Sequence, residues 1–164
     1  MTVTELISNV EKWAEDRSFY DPINGATFFS QTLKLYEEFG ELCGNIAKGR
    51  DIKDDIGDNA VVLINMARLL GFSLNDVIPD EIEPLKPWGD YDTHIVAMAS
   101  NDYPEVCFSS IVHKASFFLI FRRLETIANG AGATLVECLK LAYDEIKDRK
   151  GKMIKGVYIK EGDL

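Results

Sequence analysis

The 164-residue chain is predicted to be all-α, a helical bundle in one folding unit that ends in a short irregular or β-like tail. Three observations lead there. Apolar residues recur at steps of three and four along most of the chain, the spacing of a buried helical face. Alternating apolar and polar runs flanking an Asn-Gly turn, the mark of a β-hairpin, are absent. A composition of 46% hydrophobic and 27% charged residues with only five prolines is that of a globular chain with material for a sizeable core.

Each element follows from its local pattern. The first helix is expected from about Thr2 to Arg17, with Thr2 or Thr4 as N-cap and Leu6, Ile7, Val10, Trp13 and Ala14 on one face. "SFYDPING" then interrupts it. The second helix is expected from about Ala26 to Lys48, with Phe28, Thr32, Leu35, Phe39, Leu42 and Ile46 as its seam and Gly49 as its stop. The third runs from near Asp51 to Gly71 with Ile56, Ala60, Leu63, Ala67 and Leu70 on its seam. The short Gly49-Arg50 link makes these two helices antiparallel neighbours.

"SLNDVI" reads as a short helical appendage, and residues 79 to 93, with Pro79, Pro84, Pro87 and Gly89, as an irregular acidic crossover. Helicity resumes at "HIVAMAS". A long apolar helix is expected from about Glu105 to Asn129, its Phe117 to Phe121 run being buried all round or at a subunit interface. After "GAGA", the last helix runs from Thr134 to about Arg149 with Leu135, Leu139, Ala142 and Ile146 periodic. A shared helix, glycine break and N-cap grammar in "ARLLGFSLNDVI" and "ETIANGAGATLVECL" suggests two facing helical hairpins. The tail carries Lys147, Arg149, Lys150, Lys152, Lys155 and Lys160, and is expected to form a short strand at "GVYIK" or to stay mobile.

Composition also excludes. A formal net charge of −9 is unsuited to nonspecific nucleic-acid binding, because the phosphate backbone would be repelled at a distance. No stretch has the uncharged apolar length of a membrane span, and the N-terminus has neither a basic region nor a continuous apolar run; no membrane partner and a cytoplasmic location are expected. The odd, scattered Cys43, Cys107 and Cys138 form no zinc pattern and read as buried free thiols. His94 and His113 lack the neighbours of a nucleophile or metal centre and read as structural, and Trp13 as core rather than base-stacking platform.

The acidic residues are the exception to a bland reading. Gln31, Lys34, Glu38, Glu41 and Asn45 share a polar stripe beside the apolar seam of the second helix; Asp55, Asp58 and Asn65 make a similar stripe on the third. Antiparallel packing across Gly49 lets the two carboxylate pairs meet. Like charges so close either raise their pKa values or recruit a cation, and a hard oxygen-liganded ion such as Mg²⁺ suits them best. An E-x-x-E on a solvated helix face is the alternative, since that motif alone is common.

"EEFGEL" followed by "DDIGDNAVVLINMARLLG", with Trp13, Gln31 and Lys34, resembles the E-x-x-E plus E-x-x-D pattern of the MazG-like nucleotide pyrophosphohydrolases, within the all-α NTP pyrophosphatase superfamily. "AYDEIKDRKGKMIKGVYIKEGDL" is similar to the C-terminal segment of MazG-like proteins of phages and some bacteria. The resemblance covers the first 78 residues and about the last 30; residues 79 to about 110 match nothing.

The resemblance implies a helical bundle of the all-α NTP pyrophosphatase type that forms a homodimer or dimer of dimers. It further implies Mg²⁺, for which Mn²⁺ can substitute, and hydrolysis of a nucleoside triphosphate, a dNTP in particular, to the monophosphate and pyrophosphate. Carried over by position, the metal ligands are Glu38, Glu41, Asp55 and Asp58. Asp55 departs from the family's Glu and its reach is shorter, with Asp54 as competitor. Glu37, beside the first ligand, is the candidate general base; Gln31, Lys34 and Asn65, with Arg149, Lys150 and Lys152 of the tail, are the candidate substrate contacts, the tail acting in cis or in trans. Two other readings stand: a non-catalytic helical oligomerisation module whose acids bind a structural cation or a basic partner, and a tail that is merely a solubilising terminus.

Overall fold

The computed structural model describes residues 1–86, 91–108 and 114–163. Its helices are α1 (Val3–Glu15), α2 (Phe28–Ala47), α3 (Lys53–Leu69), α4 (Tyr91–Ala97), α5 (Tyr103–Phe108), α6 (Lys114–Gly130) and α7 (Leu135–Ile146), followed by a hairpin of β1 (Gly151–Ile154) and β2 (Val157–Lys160). A 3-10 turn, Leu74–Asp76, stands where the helical appendage is expected, and a π-helical stretch, Met98–Asp102, joins α4 to α5.

Three helices begin where a threonine can satisfy the otherwise unbonded first-turn amides. Thr2, Thr27 and Thr134 each accept from a backbone N–H three residues on, and Glu5, Ser30 and Glu137 reach back to the cap in turn. Thr2 rather than Thr4 is therefore the cap of α1. The link after α2 turns through Gly49 at φ +63°, a left-handed conformation that glycine adopts without strain.

α3 is the axis of the bundle. The sequence predicts a one-sided apolar seam on it, but every residue from Asp55 to Ala67 except Asp58 is buried, because α1, α2, α6 and α7 surround it. α7 lies closest: a Cβ on Gly57 would stand 2.2 Å from the Cys138 carbonyl oxygen and 2.8 Å from Ala142 Cβ. The α2–α3 and α6–α7 pairs thus face one another across the α3–α7 contact. A buried polar side chain of α3 is satisfied in place: Asn59 donates to the Asp55 carbonyl at 2.8 Å and accepts from Tyr103 Oη at 2.8 Å.

Of the helix expected from Glu105 to Asn129, α5 and α6 are described; residues 109–113, including His113, lie outside the described residues, as do Pro87 and Gly89 of the crossover. In α6, Phe117, Ile120 and Phe121 are buried while Phe118 and Leu119 are only partly so, so the run is one-sided rather than buried all round. His94 is buried against Arg123, whose guanidinium also bonds Asp102. Cys138 is buried and Cys43 and Cys107 partly so, all free. Among the described residues, no helix is long and apolar enough to cross a membrane.

The tail is an ordered hairpin, not a mobile terminus. Its two-residue turn is Lys155-Gly156, both at positive φ (52° and 81°), as a type I′ turn requires; Lys in place of Asn hides it from a search for Asn-Gly. Met153 donates its N–H to the Arg17 carbonyl at 3.0 Å and Gly156 to the Asn24 carbonyl at 2.9 Å. Met153 is buried with Ala14, Phe19 and Ala26 in a small second core.

Gly57→Ala is expected to lower the urea midpoint at unchanged m-value, with a loss of about 1–3 kcal/mol, since the α3–α7 contact has no room for a methyl group.

Candidate active site

Between α2, α3, the end of α7 and the hairpin lies a pocket of about 500 Å³. Its apolar walls include Val61, Val62, Ile146 and Met153; its polar groups include Gln31, Lys34, Glu37, Glu38, Asp58, Asn65 and Arg149. The elements that build it follow from local rules already described: α2 and α3 run antiparallel from the Gly49 turn, and the hairpin closes one side by its bonds to Arg17 and Asn24.

The four predicted ligands divide. Glu38 and Asp58 both line the pocket, Glu38 buried and Asp58 partly so. Glu41 is exposed and faces a separate shallow groove with Gly44, Asn45 and Lys48. Asp55 is buried away from the pocket, and both its carboxylate oxygens accept from Asn45 Nδ2, at 3.1 and 2.9 Å. One helical step of about 100° separates it from Asp54, which faces the other acids instead.

That grouping is visible in the electrostatics. Burial, then the negative charges of Glu38, Asp54 and Glu145, push Asp58 from the ordinary 3.8 up to about 7, against the opposing pull of Lys34. Burial, followed by Glu145, Asp55 and Glu38, raises Asp54 as well, against Arg149. Asp54 Oδ1 is buried without a hydrogen-bond partner. The acids that feel one another are therefore Glu38, Asp54, Asp58 and Glu145, with Asp55 acting on Asp54 from its place beside Asn45.

Glu145 is not among the sequence candidates. It lies on α7, far along the chain, beside the core residue Ile146, and its i+4 partner Arg149 approaches it at 3.4 Å. A carboxylate flanking a seam position was the available signal, but only the α3–α7 contact brings it to the acids of α3.

The cationic candidates divide too. Lys34 bridges Glu38 at 2.6 Å and Glu37 at 3.0 Å; burial works against its charge, but these hydrogen bonds prevail and raise its pKa. Arg149 lines the pocket. Lys150 is directed to Glu161, at 3.9 Å, and neither it nor Lys152 lines the pocket. Gln31 and Asn65 are buried in the pocket wall, where Asn65 Oδ1 accepts from Tyr20 Oη at 2.7 Å. Trp13 packs between the main core, the hairpin and the pocket, with the Arg17 guanidinium 4.9 Å from its ring centre and the Tyr158 ring 6.0 Å away.

A metal ion has to be tested against these side chains. The donors are hard carboxylate oxygens, one of them buried and unbonded, and their mutual repulsion is of the kind that a proton or a cation relieves. These residues fit a hard divalent cation. Among the described residues, no three such side chains already converge at ligand distance, so Glu38 would have to turn from Lys34 to join a shell.

Fold and site together describe a helical bundle with an acid-edged pocket closed by a C-terminal hairpin. The chain is 47% identical over 66 residues to an "Uncharacterized 18.2 kDa protein in rep-hol intergenic region" of Haemophilus phage HP1 (strain HP1c1). The match covers 39% of this chain and 39% of that protein. No family model and no solved structure matches the chain.

The Asp58 shift has a defined sign. A carboxyl that keeps its proton to about pH 7 when folded, and to about 3.8 when unfolded, favours the folded state below that window and loses this contribution as pH rises through it. Metal-free protein is expected to lose this contribution to stability between about pH 4 and 7, and Asp58→Asn to flatten that fall, in urea midpoints measured across the range.

Proposed function

We propose that the chain is a Mg²⁺-dependent MazG-like nucleoside triphosphate pyrophosphohydrolase, a hydrolase acting on a phosphoric anhydride. The observation that carries this reading is that Glu38 and Asp58 line a pocket that also holds Arg149 and Lys34, with the charges of Asp54 and Glu145 near enough to help raise the Asp58 carboxyl. A negatively charged protein takes an anionic nucleotide only where cations gather, and an acid cluster beside basic side chains provides for both kinds of charge.

Glu38, Asp58 and Asp54, with Glu145 at the edge, would hold the cation. Bound there, Mg²⁺ supplies positive charge at the phosphates and lowers the pKa of a water. Arg149 meets the phosphate oxygens as a two-pronged donor and Lys34 as a point charge. Val61, Val62, Ile146 and Met153 keep bulk water from the nucleoside. Glu37, at the pocket's edge, accepts the proton of the water that attacks the α-phosphorus, and pyrophosphate leaves with the monophosphate remaining.

The reading includes a homodimer or dimer of dimers. Its support is an exposed apolar stripe on α2, Phe29, Leu33 and Tyr36, of which the first two are 70% and 60% exposed and Leu33 also borders the pocket. That stripe also favours a second reading, a non-catalytic oligomerisation module. Incubation with Mg²⁺ and a panel of dNTPs separates the two: pyrophosphate release supports the enzyme, and its absence for every nucleotide supports the module.

Glu38→Gln and Asp58→Asn are each expected to cut pyrophosphate release by about 100-fold or more, the upper range for disturbing a metal site's supporting residues. Glu41→Gln and Asp55→Asn are expected to cost clearly less, because those side chains lie outside the pocket. The reverse order would restore the ligand set carried over from the family pattern.

A further inference from the structure

The wall contributed by α3 has polar side chains at its two ends and Val61 and Val62 between them. Asp58 and Asn65 are seven residues apart, so about 10 Å separates them along the helix. A nucleotide spans a distance on the order of 10 Å from its 5′ phosphate to the far edge of its base, several covalent bonds end to end. With phosphate at the acid end, as the hydrolase reading above requires, the far edge of the base arrives at Asn65.

An amide ordinarily offers either a donor or an acceptor by turning over, but Asn65 is held. Tyr20 Oη donates to its Oδ1 at 2.7 Å, which leaves Nδ2 as the atom of the amide directed away from the phenol. Burial raises the phenol's pKa far above the ordinary value, so it stays protonated and remains a donor. Asn65 is 3% exposed, its Nδ2 has no acceptor among the described residues, and this nitrogen is not sealed from the pocket that the residue lines. Gln31, in the same wall, has no such partner among the described residues and is free to turn.

We infer that this pocket selects bases with a carbonyl oxygen at the far edge, position 4 of a pyrimidine or position 6 of a purine, over bases with an amino group there. Asn65 reads that edge and Tyr20 is its positioning residue. Uracil, thymine and guanine place an acceptor opposite Nδ2, whereas the amino groups of cytosine and adenine bring donor against donor. A buried donor left facing another donor is penalised on both sides, which makes such a site more selective than an apolar one.

The test uses dUMP and dCMP, which differ at that edge, titrated calorimetrically into the full chain in the presence of Mg²⁺. dUMP is expected to bind tighter by about tenfold or more. Tyr20→Phe frees the amide and is expected to bring the ratio of the two affinities close to one, while the helical circular dichroism spectrum is retained. Asn65→Asp, which replaces the donor with an acceptor, should favour dCMP. Equal or inverted affinities in the parent chain, no binding of either nucleotide, or a ratio unmoved by Tyr20→Phe overturns the inference. Pyrophosphate release from dUTP and dCTP separates this failure from that of the hydrolase: equal hydrolysis of both sinks only the base preference. No hydrolysis, with the dUMP preference intact, sinks only the catalytic reading.

Discussion

The contact between Gly57 of α3 and the Cys138–Ala142 turn of α7 sets the geometry of everything around the pocket. At 2.2 Å from a hypothetical Cβ to a carbonyl oxygen, no other residue fits without displacing one helix from the other. Gly57 lies between Asp54 and Asp58, so the closest approach of the two helices falls where α3 carries its acids. α7 continues from that point to Glu145 and Ile146, which reach the same region. The charge cluster and the apolar wall beside it are thus two consequences of one backbone approach.

The hairpin depends on that arrangement as well. α7 delivers the chain to the Arg17 side chain, whose Nε donates to the Arg149 carbonyl at 2.8 Å and whose Nη2 donates to the Lys147 carbonyl at 3.3 Å. Those bonds satisfy carbonyls at the end of α7 that have no helical partner, and they hold Arg149 where the pocket begins. Met153 then enters the small core formed by α1 and the loop before α2. A basic, glycine-containing tail thereby becomes one wall of the pocket, lined by Arg149 but not by Lys150 or Lys152.

Electrostatically the molecule is divided in a way its net charge of −9 conceals. Most acids are solvated or paired locally, such as Asp144 with Lys140 and Lys147. Burial and crowding act together most strongly around Asp58, where they raise the carboxyl to about 7. At the other end of the same α3 wall the polarity is that of a neutral amide with a fixed orientation. One pocket therefore carries a charged end, an apolar middle and a hydrogen-bonding end, in the order in which a nucleotide presents phosphate, sugar and base.

The sequence by itself determined most of the helices, Thr2 as one of two cap candidates for the first, the α2–α3 turn and the position of Glu38 and Asp58 on neighbouring faces. Those features depend on residues within a few positions of each other, where the 3.6-residue period and the chemistry of capping act directly. Tertiary structure alone decided which acids share a site. Asp54 and Asp55 are equivalent to a motif, and α3 is so enclosed that its periodicity no longer distinguishes an inner face. Asn45 occupies Asp55, α7 brings Glu145 toward Asp54, and Glu41 falls in the adjoining groove with Gly44 and Lys48. The I′ turn at Lys155-Gly156 and the hold of Tyr20 on Asn65 were hidden for the same reason: each is completed by a backbone conformation or a partner that local pattern does not specify. Periodicity says which way a side chain points along its own helix, and only packing says what it meets.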